Sequence, residues 1–284
     1  MHKFQLFRIK IILKEAAQMS IVNNLPAKSR KDLLLETIKT HPSATLRKNQ
    51  NWQLVSSEEI DERSCYFQIG KRSSSASDQF DTESGRYVVR DSPKDSFTHA
   101  IIDAELQVCA IASRQTLPNP IVAAKYLGKL LENTTEFQNV NAEVIVAQIT
   151  DPTEFIELLK SAYEIRSFKV EVSPPNIFDV NEDFIRPAQK CIAETNADIG
   201  LTELRGNDLN RDVLVDITRS SSATGNHVEA RLKQEENSRP VKRKADSSPA
   251  TITNEDIDTA SDRMSILSKM RNLYARIRNS MQEE

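Results

Sequence analysis

Residues 144–172 read VIVAQITDPTEFIELLKSAYEIRSFKVEV, and the fold class turns on how this stretch is interpreted. Val144-Ile145-Val146-Ala147 is a short apolar run of the kind a buried strand needs. Asp151-Pro152-Thr153-Glu154 then supplies a helix start: an acceptor for free N–H groups, a Pro where no N–H is required, and an early acid. Phe155, Ile156, Leu158 and Leu159 give this helix an apolar side, and its end is expected near Tyr163. From Arg166 the chain alternates, with Phe168, Val170 and Val172 on one face and Ser167, Lys169 and Glu171 on the other. Strand, helix and strand in sequence predict a compact β-α-β unit with a ferredoxin-like arrangement.

Working downstream, Pro174-Pro175-Asn176 closes the unit and Asn181 caps a helix to about Asn196. Leu201–Leu204, Val213–Thr218 and His227–Lys233 are expected strands, with Ser220-Ser221-Ser222 and Gly225-Asn226 as the turn between the last two. Upstream, Phe7, Ile9, Ile11 and Leu13 alternate with Arg8 and Lys10, which predicts a half-buried opening strand and not a signal peptide. Ser29–Thr40 reads as a helix with Leu33, Leu34 and Ile38 inward. Trp52–Val55, Cys65–Ile69 and Tyr87–Val89 are expected strands, and the polar stretch Ser73–Asp78 a loop. His99–Ala112 has the pattern of a hairpin turning near Asp103-Ala104-Glu105. Pro118-Asn119-Pro120 then gives way to a helix with Ala124, Leu127, Leu130 and Leu131 on one side. The expected architecture is therefore α+β: a strand-rich unit over residues 1–140, and a β-α-β-containing unit over 141–284 that ends in an amphipathic helix.

That last helix is expected from about Thr253-Asn254-Glu255-Asp256 to Met281. Leu267, Met270, Tyr274, Ile277 and Met281 follow the alternating three-four spacing of a coiled-coil seam, broken one step earlier by Arg263. Such a face either docks on its own domain or pairs with a second copy or a partner subunit, and these five residues are the candidates for self-association. Acids at the helix start and the later cations Lys269, Arg271, Arg276 and Arg278 suit the helix dipole, and the cations would also suit phosphates. A second basic cluster is Arg239-Pro240-Val241-Lys242-Arg243-Lys244, which fits an exposed, charge-protected edge strand or a phosphate-contacting patch. The candidate nucleic-acid contacts are thus Arg239, Lys242, Arg243, Lys244, Arg271, Arg276 and Arg278.

Composition narrows the chemistry. The 284 residues carry a net charge of −3, so any nucleic-acid site is a local patch. Only 6 residues are Gly, against an average of about 7%, and neither GxGxxG nor GxxxxGK[ST] occurs, which disfavours a phosphate-cradling loop. No apolar run approaches the roughly 20 residues of a membrane span. Cys65, Cys109 and Cys191 are odd in number and far apart, which reads as reduced core thiols in a cytoplasmic protein. His2, His41, His99 and His227 lack metal-ligand spacing, and no nucleophile elbow is present. No catalytic residue, metal or cofactor is assigned. The nearest constellation to an active site is His99, Asp103, Glu105 and Cys109, whose acids would serve the alternative of a metal-dependent, nuclease-like effector.

The order of elements from Val144 to Val172, the segment Asp183–Leu232, and the stretch Ile252-Thr253-Asn254-Glu255 leading to Tyr274-Ala275-Arg276 resemble the RexA family of phage-exclusion proteins. The resemblance covers the second half of the chain; the first half departs from it. It implies a cytoplasmic, dimeric, DNA-associated sensor and brings over no catalytic residue. The expectation is a non-enzymatic nucleic-acid-associated accessory or sensor protein of a phage-defence or mobile-element system, with a protein-interaction subunit as a further alternative.

Overall fold

The structure is a computed structural model that describes residues 1–13, 29–47, 50–117, 119–172, 185–195, 197, 199–245 and 248–278. Pro118, Pro174-Pro175-Asn176, Asn181, Asp183 and Met281, each given a role above, lie outside the described residues.

The chain is α+β and holds two antiparallel sheets. The larger has nine strands: β1 (His2–Leu13), β2 (Ser43–Arg47), β3 (Gln50–Asp61), β4 (Ser64–Asp81), β5 (Arg86–Pro93), β6 (Ser96–Asp103), β7 (Val108–Ala112), β8 (Ala142–Gln148) and β13 (Thr251–Asn254). Its order is β13-β1-β7-β6-β4-β3-β2, with β8 on β1 and β5 on β4. One flank of β1 takes β7, while the other takes β13 and β8 end to end: His2–Gln5 pair with β13 and Phe7–Leu13 with β8. Helices α1 (Arg30–Lys39), α2 (Pro120–Glu132) and α3 (Thr135–Asn139) cover one face, where Phe7, Ile9, Ile11, Trp52, Phe67 and Ile102 meet Leu34, Leu127, Leu131 and Phe137.

The second sheet is built from β9 (Glu164–Val172), β10 (Gly200–Arg205), β11 (Val228–Lys233) and β12 (Val241–Lys244), in the order β10-β9-β11-β12. Helices α4 (Thr153–Ser161), α5 (Ile185–Glu194) and α6 (Arg211–Ala223) supply Phe155, Leu159, Ile192, Leu214 and Ile217 to one side of it, against Phe168, Val170, Ala230 and Leu232.

This topology corrects the expected β-α-β unit. Val144–Ala147 pairs with β1 in the first sheet, whereas Glu164–Val172 lies in the second, so helix α4 links two sheets. A split β-α-β does occur, but as β10-α6-β11 straddling β9. Nor do the sheets follow a division at residue 140, because β8 and β13 return the chain to β1 and the second sheet sits between them in sequence.

Three local expectations also change. Val213–Thr218 is helical: the Asn210 side chain accepts from the Asp212 and Val213 N–H groups, and Leu214 and Ile217 share the buried face with Thr218 and Ser221. Capping and helical spacing outweigh the modest β-preference of Val and Ile. Ser73–Asp78 belongs to β4, which from Ser74 onward forms a two-stranded arm with β5. The last helix, α7, spans Ala260–Arg278 and follows β13; the Thr259 hydroxyl accepts from the Asp262 N–H, and the Asp262 carboxylate from the Thr259 N–H (3.1 and 3.2 Å).

The apolar face of α7 covers the remaining face of the large sheet. Ile266, Leu267, Met270, Tyr274 and Ile277 are buried against Phe4, Leu6, Ile101, Val108, Ala110 and Ile252. The candidate self-association seam, as far as it is described, is therefore spent within the chain and offers nothing to a second copy. Since β1 is covered on both faces, Arg8 and Lys10 are also buried, at 1% and 3% exposure, where a wet face was expected. The Arg8 guanidinium donates to the Leu106 carbonyl and to the Tyr274 hydroxyl (3.2 Å), and Lys10 Nζ donates to Asn226 Oδ1 (2.9 Å).

Candidate nucleic-acid interface

The expected cations of α7 do not form a phosphate-facing surface with those of β12. Arg271 lies under the helix: Nε donates to Asp103 Oδ2 at 2.7 Å, and Nη2 to Asp61 Oδ2 and Ser64 Oγ, both at 2.8 Å. Arg276 Nη2 bonds Asp151 Oδ2 at 2.9 Å, beside the start of α4 and so on the helix-covered side of the second sheet. Arg278 is half-buried. Arg271 is thereby corrected: its ion pairs fasten α7 to the sheet the helix covers. Arg276, half exposed, makes a surface pair away from β12, and Arg278 has no ion pair among the described residues.

Asp103 and Glu105 are drawn into the same fastening. Asp103 is fully buried; its Oδ1 accepts the Leu106 N–H (2.9 Å), and its Oδ2 also lies 3.3 Å from Arg63 Nε. Glu105 pairs with Arg63 at 3.2 Å. The two acids hold the β6–β7 turn to α7 and to the β3–β4 turn. Burial pushes the Cys65 thiol up to about 12 and the Cys109 thiol higher still, so neither supplies a thiolate near neutrality. Among the described residues no three His, Cys, Asp or Glu side chains converge as metal ligands.

His99 sits in a separate network. Arg114 Nη1 lies 3.2 Å from His99 Nε2, and an arginine can only donate, so Nε2 accepts. The neutral ring then carries its proton on Nδ1 and donates it to the Tyr66 hydroxyl at 2.7 Å. Burial, with the charges of Arg114, His2 and Arg263, holds the imidazole down at about 4.

The surface that does collect cations is the face of the second sheet that, among the described residues, carries no helix. Paired residues in an antiparallel ladder point to the same side. Arg205 pairs with Ser167, Ser167 with Arg231, and Arg231 with Lys242, which lays three cations and a small serine in one row across four strands. The neighbouring row is Glu203, Lys169, Glu229 and Lys244. Both rows face away from Phe168, Ala230 and the helices, because alternate strand residues face opposite sides. At about 4.8 Å between strands, each row spans roughly 14 Å. Lys169, Arg205, Arg231, Lys242 and Lys244 thus stand against Glu171, Glu203 and Glu229, and the face is net positive.

Some of these charges are paired. Arg205 donates to both Glu203 oxygens (2.9 and 3.0 Å), which holds that carboxyl below the usual range. Lys242 lies 2.5 Å from Glu229, and Lys169 3.7 Å from Glu203. Exposed pairs of this kind are worth only about 0–1 kcal/mol, so an incoming phosphate can exchange for a glutamate at little cost. Separating Arg271 from the buried Asp103 would cost several kcal/mol. That difference in magnitude withdraws Arg271 from an anionic polymer, and the alignment of cations in one row selects the sheet face as the surface able to bind it. Arg231 and Lys244 have no ion pair among the described residues, nor do Arg239 and Arg243.

Of the candidates from β12, Lys242 and Lys244 lie on the open face. Arg243 pairs with Ala230 and points to the helix side of the exposed edge, and Arg239 is exposed in the approach to β12. Lys169, Arg205 and Arg231 were missed. For Lys169 and Arg231 the signal was the alternation in Phe168–Val172 and Val228–Lys233, but an outward charge on an amphipathic strand is ordinary until the register aligns it with others. No family model and no curated protein sequence matches this chain.

Proposed function

We propose that this chain is a non-enzymatic, nucleic-acid-associated accessory or sensor protein. It holds the phosphate backbone, without reading sequence, on the open face of its second sheet. The observation that carries this reading is the row Arg205-Ser167-Arg231-Lys242, flanked by Lys169 and Lys244, on a sheet face that no helix covers among the described residues. Cations about 5–10 Å apart across strands suit repeated phosphate contacts. In keeping with the resemblance of its second half to the RexA family, we take its role to be a cytoplasmic one in phage exclusion or a related mobile-element system.

Binding of this kind releases counterions, so log K should fall linearly with log salt, by about 0.9 per phosphate engaged on duplex DNA. A fluorescence-anisotropy titration of labelled duplex at several salt concentrations measures the slope. An affinity that is steeply salt-dependent and indifferent to sequence supports the reading. Absence of binding in low-salt buffer ends it.

A further inference from the structure

Beyond residue 73, β4 leaves the large sheet. Among the described residues, Ser74–Asp81 pair with Arg86–Pro93 alone, making a two-stranded arm of about 26 Å with no further strand on either edge. Two-stranded ribbons are marginal in water unless something packs on them. This one displays Phe80, Tyr87 and Val89 at 55%, 75% and 70% exposure. Phe80 and Tyr87 are cross-strand partners in an edge-to-face contact at 5.4 Å, and Val89, opposite Asp78, lies on the same side. Four acids (Asp78, Asp81, Glu83, Asp91) and two bases (Arg86, Arg90) accompany them, so the arm is acidic.

The same chain carries the complementary surface. The open face of the second sheet is net positive, and Leu201, on the Arg205 side of β10, is 68% exposed. Within one chain the arm's aromatic side remains exposed, so the two surfaces do not meet there. We propose that the β4–β5 arm docks on the open face of the second sheet of a second copy, so that self-association and nucleic-acid binding compete for one surface. The competition rests on the reading given above; the docking does not. Reciprocal exchange of arms about a two-fold axis closes the assembly as a dimer, and charge opposition between arm and face makes it weaken as salt rises.

Sedimentation velocity on the full chain, over a range of concentrations in low-salt buffer, tests the docking. The expected result is a concentration-dependent dimer. Phe80→Ser with Tyr87→Ser, or separately Arg231→Glu with Lys242→Glu, weakens it about tenfold or more. All four side chains are on the surface, and circular dichroism confirms folding of both variants. Mixing the two variants restores one of the two docked arms, which arm-on-arm pairing could not do. A wild-type chain that stays monomeric, or a dimer indifferent to the sheet variant, overturns the proposal. Added duplex is then expected to dissociate the dimer. A dimer that persists because duplex does not bind refutes the nucleic-acid reading and leaves the docking standing; a dimer that persists with duplex bound refutes the competition.

Discussion

Arg271 on the last helix grips Asp103 at the mouth of the β6–β7 turn, 2.7 Å from a carboxylate with no solvent exposure. The same guanidinium reaches Asp61 and Ser64 at the β3–β4 turn. One side chain thus ties the C-terminal helix to two turns distant in sequence. Replacing Arg271 with Ala leaves a buried carboxylate with only Arg63 beside it. A loss of about 3–5 kcal/mol is typical for breaking such a pair, and the lower end is expected because Arg63 persists. Urea unfolding of Arg271→Ala and of Arg271→Ala/Asp103→Asn checks this: the double variant should recover part of the loss, because the stranded charge has gone.

Leu267→Ala and Met270→Ala separate cis docking from trans pairing of α7. Both residues are fully buried against the sheet, so each truncation should cost about 2–5 kcal/mol. The oligomeric state measured by light scattering should not change. A seam that paired two chains would give the opposite result, with assembly abolished and monomer stability kept.

The His99 imidazole is held at about 4 in the folded chain, against an ordinary 6.5. Between these values the unfolded chain takes up a proton that the folded chain refuses. This group's contribution is therefore complete above about pH 6.5 and declines as pH falls towards 4. Chemical denaturation of wild type and His99→Gln at about pH 7 and about pH 4.5 should show the larger acid-induced drop in wild type. An equal drop in both would remove His99 from the acid response.

Gly128 lies in α2 where the helix crosses β8, and a Cβ there would come within 2.8 Å of the Val144 carbonyl oxygen. Ala is favoured over Gly in a helix by about 1 kcal/mol, but here the neighbour is backbone and has no rotamer to yield. Gly128→Ala should lower the thermal midpoint, the reverse of the propensity expectation, with a net cost of about 1–3 kcal/mol.

Local chemistry made the hairpin of β6 and β7, the helices α1 and α2 and the start of α4 legible in the sequence. Ser29 accepts from the Asp32 N–H, Asn119 from the Ile121 N–H, and Asp151 from the Thr153 N–H. What could not be read was pairing at a distance. Val144–Ala147 looks the same whether its neighbour is the next strand or the first, and only the structure pairs it with β1. Arg8 and Lys10 were misjudged for the same reason, since alternation reports one buried face and α7 arrives from the other end of the chain to bury the second. Of the arm, Tyr87–Val89 was legible as a strand, whereas Ser73–Asp78 read as a loop because both its sides are wet, and a strand without a core face lacks the apolar period. At the candidate interface, the β12 cations were visible as a cluster, whereas their alignment with Arg231 and Arg205 depends on register across four strands.

Duplex binding measured against salt for three proteins tests the central claim most directly: wild type, Arg231→Glu with Lys244→Glu, and Arg276→Glu. The sheet variant should bind weakly, with its slope shallower by about 1 for each phosphate it no longer engages. The Arg276 variant, altered on the helix-covered side, should keep the wild-type slope. Equal slopes for all three, or a weakening confined to the Arg276 variant, would contradict the assignment of the open sheet face as the phosphate-binding surface.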